Sequence, residues 1–236
     1  KQETTYAFEI LIADDHPSDT RLCGYAGRIN ARHLHYYRNT NNLGFTKNVN
    51  HAALRAQGEY LIILNNDTYC HPLWLENLLQ TYRLLSTSNT VGVIGSKVLH
   101  SNMQVQESGC LMHPGGAPYP IGRGAHCFDP RYSYLREVDF VSACSLLIQK
   151  RHFLDGGGFD ERFSPGYFED PDLCERLRLR GLKSYVQPAS ILLHEEGVSF
   201  GKNGFSAALE EKKALFNTLH PSPVTTNISF EAQPRL

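Results

Sequence analysis

The chain has 236 residues, 41% of them hydrophobic and 20% charged, with 23 basic residues against 24 acidic ones. That is enough chain for one substantial core, and a net charge of −1 provides no field to draw nucleic acid or an anionic membrane. No apolar run is long enough to cross a bilayer, no signal-peptide pattern opens the chain, and the six scattered cysteines read as reduced thiols of a cytoplasmic protein.

Lys1 and Gln2 read as the tail of a helix whose beginning lies outside the chain. FEILIA, Phe8 to Ala13, is an apolar run of buried-strand type that ends in Asp14-Asp15, and LHYYR, Leu34 to Arg38, predicts a second strand. Residues 45–57 carry Val49, Ala52, Ala53 and Ala56 at helical spacing, the stripe of a helix packed on something flat. YLIIL, Tyr60 to Leu64, is uniformly apolar, which predicts a strand covered on both faces; it runs into Asn65-Asn66-Asp67. Pro72 opens a helix bearing Leu75, Leu78, Leu79, Tyr82 and Leu85, and VGVIG, Val91 to Gly95, is a further strand.

This alternation predicts an α/β fold with a mostly parallel central sheet flanked by helices, its ligands beyond the carboxyl ends of the strands. Cys110 to Glu137 holds four prolines and four glycines and reads as a long irregular excursion. VDFVSACSLLI, Val138 to Ile148, returns to strand. SILLHEEG begins as a short strand-like run, an amphipathic helix follows over Ser206 to Leu219, and residues 221–236 read as a tail or linker.

Three places carry candidate chemistry. An aspartate after a strand is usually a turn former, but an apolar strand here delivers Asn65 and Asp67 on one face of the ligand-binding edge. Oxygen ligands of that kind suit Mg²⁺ or Mn²⁺ on a diphosphate. In Glu169-Asp170-Pro171-Asp172 the order predicts Asp170 at the N-cap and Pro171 at the first helical position. A helix N-terminus would keep Asp170 ionised and make it a weaker base. His194, at the end of its strand, reads on residue type alone as a structural histidine. Cys110, His113, His126 and Cys127 match no closed zinc site.

Taken in order, NNLGFTKNVNHAALRAQGEYLIILNNDT (Asn41 to Thr68), GGFDERFSPGYFEDPDLCERLRLRG (Gly157 to Gly181) and HEEGVSFG (His194 to Gly201) resemble the family 2 glycosyltransferases of bacterial polysaccharide synthesis, with a rhamnosyltransferase-like ending. These are inverting enzymes of the GT-A fold. The resemblance implies one such domain over residues 1–220 and a first strand, mid-sheet, before Lys1. It implies that Asp14 and Asp15 contact the nucleobase and ribose, with Asn42 and Asn65 also on the nucleotide side. Asn65 stands where the family usually has an acid, and the serine of the first acidic loop is displaced to Ser18. Asp67 and His194 would hold the divalent cation, Mn²⁺ or Mg²⁺, and Asp170 would be the general base with Glu169 shaping acceptor contacts.

The implied partners are a nucleotide-diphosphate sugar (UDP- or dTDP-linked) and a glycan or lipid-linked acceptor, with further domains or the inner face of the membrane nearby. Two other readings stand beside this one. A silent glycan- or partner-binding module would have no reason to keep Asp67, Asp170 and His194 together. A sugar-nucleotide pyrophosphorylase would need a glycine-rich, lysine-bearing loop near the start, and none is present.

Overall fold

The structure is a computed structural model that describes residues 2–29, 32–88, 90–195 and 205–221. Gln2 is not helical, against expectation. The segment runs irregularly along the third helix, with Gln2 Nε2 donating to the His71 carbonyl and Thr4 Oγ1 to Glu76.

The first half alternates strand and helix: β1 (Ile10–Asp14), α1 (Arg21–Ala26), β2 (Leu34–Arg38), α2 (Phe45–Arg55), β3 (Tyr60–Leu64), β4 (Thr68–Cys70) and α3 (Trp74–Leu85). The second half is richer in strands: β5 (Val91–Leu99), β6 (Val105–Glu107), β7 (Cys110–His113), β8 (Ala117–Pro120), β9 (Arg136–Val138) and β10 (Ser145–Gln149). It closes with α4 (Lys150–Asp155), α5 (Glu169–Leu179), β11 (Lys183–His194) and α6 (Phe205–Leu219).

The expected α/β architecture is present, and its central sheet is mixed. The hydrogen-bonded order is β3-β10-β5-β11-β4, with β6 added on β5 and β9 on β11. Only β5–β11 is parallel in that sheet, while β1–β2 form a separate parallel pair. Among the described residues β1 and β3 each pair on one side only and not with each other. β3 therefore ends the path, and its burial alternates: Leu61 and Ile63 are buried while Leu64 is exposed. An apolar composition had predicted cover on both faces.

β5 is buried at all nine positions because helices cover both faces of the sheet. Its side chains alternate between them. Ile94 and Val98 pack under Trp74, Leu78 and Tyr82 of α3. Val93 joins Phe153, Leu173, Leu177 and Phe216 on the other face.

Three expectations change. The excursion from Cys110 to Glu137 is ordered, with β7 and β8 forming a hairpin around Gly115 and Gly116, both at positive φ. The run from Val138 to Ile148 is not one strand; β9 ends at Val138 and β10 starts at Ser145, and the stretch between them presents backbone amides to the site described below. The short strand at His194 is the end of a 12-residue central strand, interrupted by a register shift around Pro188 between Gln187 and Ile191.

Candidate active site

Asp67 lies in the tight connection from β3 to β4, and His194 ends β11. Because β4 and β11 pair antiparallel with His194 opposite Thr68, the two side chains meet: His194 Nε2 is 3.2 Å from Asp67 Oδ1. His194 thus makes a polar contact with Asp67 through that nitrogen. Its other ring nitrogen, Nδ1, is 3.1 Å from Gln106 Oε1. One carboxylate oxygen and one imidazole nitrogen facing each other are a donor set that suits Mn²⁺ or Mg²⁺, so these residues fit a divalent cation. No group of three or more His, Cys, Asp or Glu gathers anywhere among the described residues. A cation here would take its remaining ligands from solvent or a bound phosphate.

Asp170 differs from expectation in two ways. Phe168 is the N-cap of α5, and it and Tyr167 both sit at positive φ, an unusual pair of side-chain-bearing residues in the left-handed region. Asp170 is thus inside the first turn and not the N-cap; its Oδ2 accepts from the Ala143 backbone N–H at 3.2 Å, and the carboxylate also takes its own backbone N–H. Nor is it acidified. Burial pushes it up from the ordinary aspartate value to about 6, against the pull of those amides. Glu169 is buried at 6% exposure with Oε2 unpartnered, and burial, then the charge of Asp170, raises its carboxyl well above the usual range.

Glu107, at the end of β6, was not foreseen. Burial and then the charge of Asp170 raise it to about 7, while the Cys110 thiol and the Ser142 backbone bond to it. Consecutive amides, Ser142 and Ala143, therefore hold two different carboxylates. The buried Cys144 thiol, beside them, is pushed up by burial and then by the charges of Glu107, Asp67 and Asp170. The three carboxylates thus share the neighbourhood of Cys144.

The nucleotide-side candidates are turned inward. Asp14 is 5% exposed, and its oxygens accept from the Tyr36 hydroxyl at 2.6 Å, Arg38 Nε at 3.0 Å and the His16 amide. Asp15 accepts from the Leu43 and Gly44 amides and from Asn39 Nδ2. Both carboxylates are thus occupied by protein groups and shape the loop that follows β2. Asn42 is exposed in that loop, its Oδ1 accepting from the Gly44 amide at 3.2 Å. Asn65 is half-buried, its N–H bonded to the Cys144 carbonyl.

That loop touches the acid-bearing segment. Phe45 N–H donates to the Pro165 carbonyl at 2.8 Å, and Ser164 Oγ donates to the Leu43 carbonyl. The zinc reading of Cys110, His113, His126 and Cys127 finds no gathered ligand set, since Cys110 turns to Glu107. A depression lined by Gly58, Glu59, Gln149, Lys150 and Arg151 lies at the opposite end of β3 and β10 and contains none of Asp67, Glu107 and Asp170.

Sequence reasoning missed Gln106 and Glu107, which sit in a three-residue strand with no periodicity to mark it. It also missed Tyr36 and Arg38, whose alternation on β2 was the one available signal that they share a face with Asp14.

Residues 1–114 match the family model described as Glycosyl transferase family 2. Over 157 residues the chain is 31% identical to the O-antigen biosynthesis protein RfbC of Myxococcus xanthus, a match that covers 64% of this chain and 12% of that protein. Over 81 residues it is 35% identical to an N-acetylglucosaminyl-diphospho-decaprenol L-rhamnosyltransferase of Mycobacterium tuberculosis, covering 34% of this chain and 26% of the relative. The chain therefore spans about a quarter or less of these curated relatives. Among solved structures, GalNAc-T7 with UDP, GalNAc and Mn²⁺ superposes with a TM-score of 0.64 at 15% identity, over 79% of this chain and 37% of that one. At that identity the likeness establishes the GT-A fold.

Proposed function

From the match of residues 1–114 to the Glycosyl transferase family 2 model we propose that the chain is a member of that family and moves a sugar from a nucleotide-diphosphate donor to a hydroxyl of a glycan or lipid-linked acceptor in surface polysaccharide synthesis. The donor nucleotide is UDP or dTDP, and the anomeric centre inverts. One observation carries this reading: the Asp170 carboxylate is fixed by the Ala143 amide and raised by burial to about 6, in the neighbourhood of Cys144 that it shares with Asp67.

In the proposed reaction the acceptor hydroxyl lies against Asp170. As its oxygen attacks the anomeric carbon from the face opposite the diphosphate, the proton passes to Asp170 Oδ. A base near 6 is a stronger proton acceptor than an ordinary aspartate and is still mostly ionised at neutral pH. The Ala143 amide fixes the direction of the carboxylate, and burial favours the neutral form of the neighbouring Glu169. Asp67 and His194 would hold a divalent cation, which when bound offsets the charge on the leaving diphosphate. The turn at Leu43–Gly44, held by Asp15, borders the nucleoside, so Asp14 and Asp15 act by shaping that pocket.

The relatives' names support polysaccharide and rhamnosyl chemistry, and Mn²⁺ in the GalNAc-T7 structure supports a divalent cation. No helix among the described residues is long and apolar enough to cross a membrane, so a lipid-linked acceptor would be met from the aqueous side or through other parts of a longer protein.

Asp170→Asn keeps the shape of the side chain and removes its basicity. Transfer should fall by roughly two to four orders of magnitude while donor binding persists, as read by product formation beside a nucleotide thermal shift. Near wild-type transfer would remove Asp170 as the base.

A further inference from the structure

Gln106 sits where β6 departs from regular pairing. Val98 of β5 pairs with Glu107 and Leu99 pairs with Val105, so Gln106 is an extra residue in the strand. Bulges of this kind re-aim a side chain and gather beside active sites. Here the side chain, 6% exposed, is aimed past β5 at His194.

The contact has a chemical consequence. With Gln106 Oε1 placed 3.1 Å from Nδ1, the amide oxygen is set to accept a ring proton from that nitrogen. A neutral ring held in that way turns the Nε2 lone pair towards Asp67 Oδ1, 3.2 Å away. Two acceptors at this separation repel each other unless a cation or a second ring proton lies against them. Histidines that ligate metals commonly donate their other N–H to a fixed carbonyl or carboxylate, which sets the tautomer.

We propose that Gln106 is a positioning residue for the transfer reaction, holding His194 as the Nδ1–H tautomer so that Nε2 is left to ligate a divalent cation beside Asp67. The inference rests on the transferase reading above. It assigns Gln106 a task exerted through His194, and it explains why the bulge falls at this position of β6.

The test reads the tautomer first. Ring ¹⁵N shifts of His194 in the full chain with UDP and diamagnetic Mg²⁺, recorded at about pH 8, above the ordinary imidazole range, should show Nδ1–H. In Gln106→Leu the acceptor is gone, and the proton should move to Nε2 to bond Asp67. Mn²⁺ affinity in the presence of UDP, measured by electron paramagnetic resonance of the ion, should then weaken roughly 10- to 100-fold. Gln106→Glu keeps an acceptor oxygen in place and should retain both the tautomer and the affinity.

An Nε2–H ring in a wild type that binds Mn²⁺, or unchanged Mn²⁺ affinity in a folded Gln106→Leu, overturns the role of Gln106 alone. If Gln106→Leu does not fold, the wild-type tautomer and the Gln106→Glu affinity decide the matter. A wild type that neither binds Mn²⁺ nor transfers sugar overturns the transferase reading with it.

Discussion

At the scale of single residues the chemistry turns on how burial competes with hydrogen bonding at Asp170. The helix N-terminus and the Ala143 amide favour the charged form, but desolvation is the larger effect and the carboxyl rises to about 6. Transfer rates, kcat/KM against pH, should therefore fall as pH drops through about 6, well above the region where an ordinary aspartate titrates. A limb near 4 would mean that water reaches Asp170 freely. The same shift has a stability consequence. The unfolded chain loses this proton before the folded one does, so Asp170 costs stability above about pH 6 and nothing below its unfolded value. Asp170→Asn should accordingly raise the melting temperature above about pH 7 and leave it unchanged below about pH 4. A variant that lost both activity and stability at neutral pH would indicate a structural carboxylate instead.

Between elements, the site is assembled where two loops meet. Gly44 stands at φ +77, and a Cβ there would lie 2.8 Å from the Cα of Pro165, a contact with backbone that cannot yield cheaply. The turn that Asp15 organises at the start of α2 is thereby set against the segment leading to Glu169 and Asp170. Gly44→Ala must meet both the strained φ and the clash, and should cost more than about 1 kcal/mol. That would lower the melting temperature by at least roughly 2–4 °C. Nucleotide binding should weaken in the same variant. An alanine at this position with unchanged melting temperature and nucleotide affinity would show that the two loops are not held to each other.

For the molecule as a whole, the last described helix clamps α5, which carries Asp170. Phe216 of α6 is 1% exposed and its ring lies 5.5 Å from that of Phe168, the left-handed N-cap of α5. His220 Nε2 is 2.8 Å from Asp172 Oδ1, while Arg176 bonds the other oxygen and the carbonyls of Gly156 and Gly158. These contacts hold Tyr167 and Phe168 in a conformation that α5 alone would not maintain. Phe216→Ala should cost about 3–5 kcal/mol, as large buried truncations do. It should also lower transfer at temperatures where the chain remains folded, because the turn that aims Asp170 loosens. Full activity per folded molecule in that variant would separate α6 from the site.

The order of residues by itself determined the strands and helices that bury a continuous face. LHYYR and YLIIL are β2 and β3 to the residue, and the alanine stripe from Val49 to Ala56 marks α2, because side-chain periodicity is a local property. It also marked Asp67, Asp170 and His194 as chemistry-bearing, through motifs with fixed spacing. Only the tertiary structure decided what those groups are. The His194–Asp67 contact exists because β4 pairs with β11, residues more than a hundred positions apart in the chain. The Asp170 carboxyl rises to about 6 because distant segments exclude water from it, while a backbone amide from another loop bonds it, and neither burial nor long-range pairing is written in local pattern. Gln106 and Glu107 stayed hidden for the same reason: a bulge, set by pairing with β5, is what turns two ordinary polar residues towards the site.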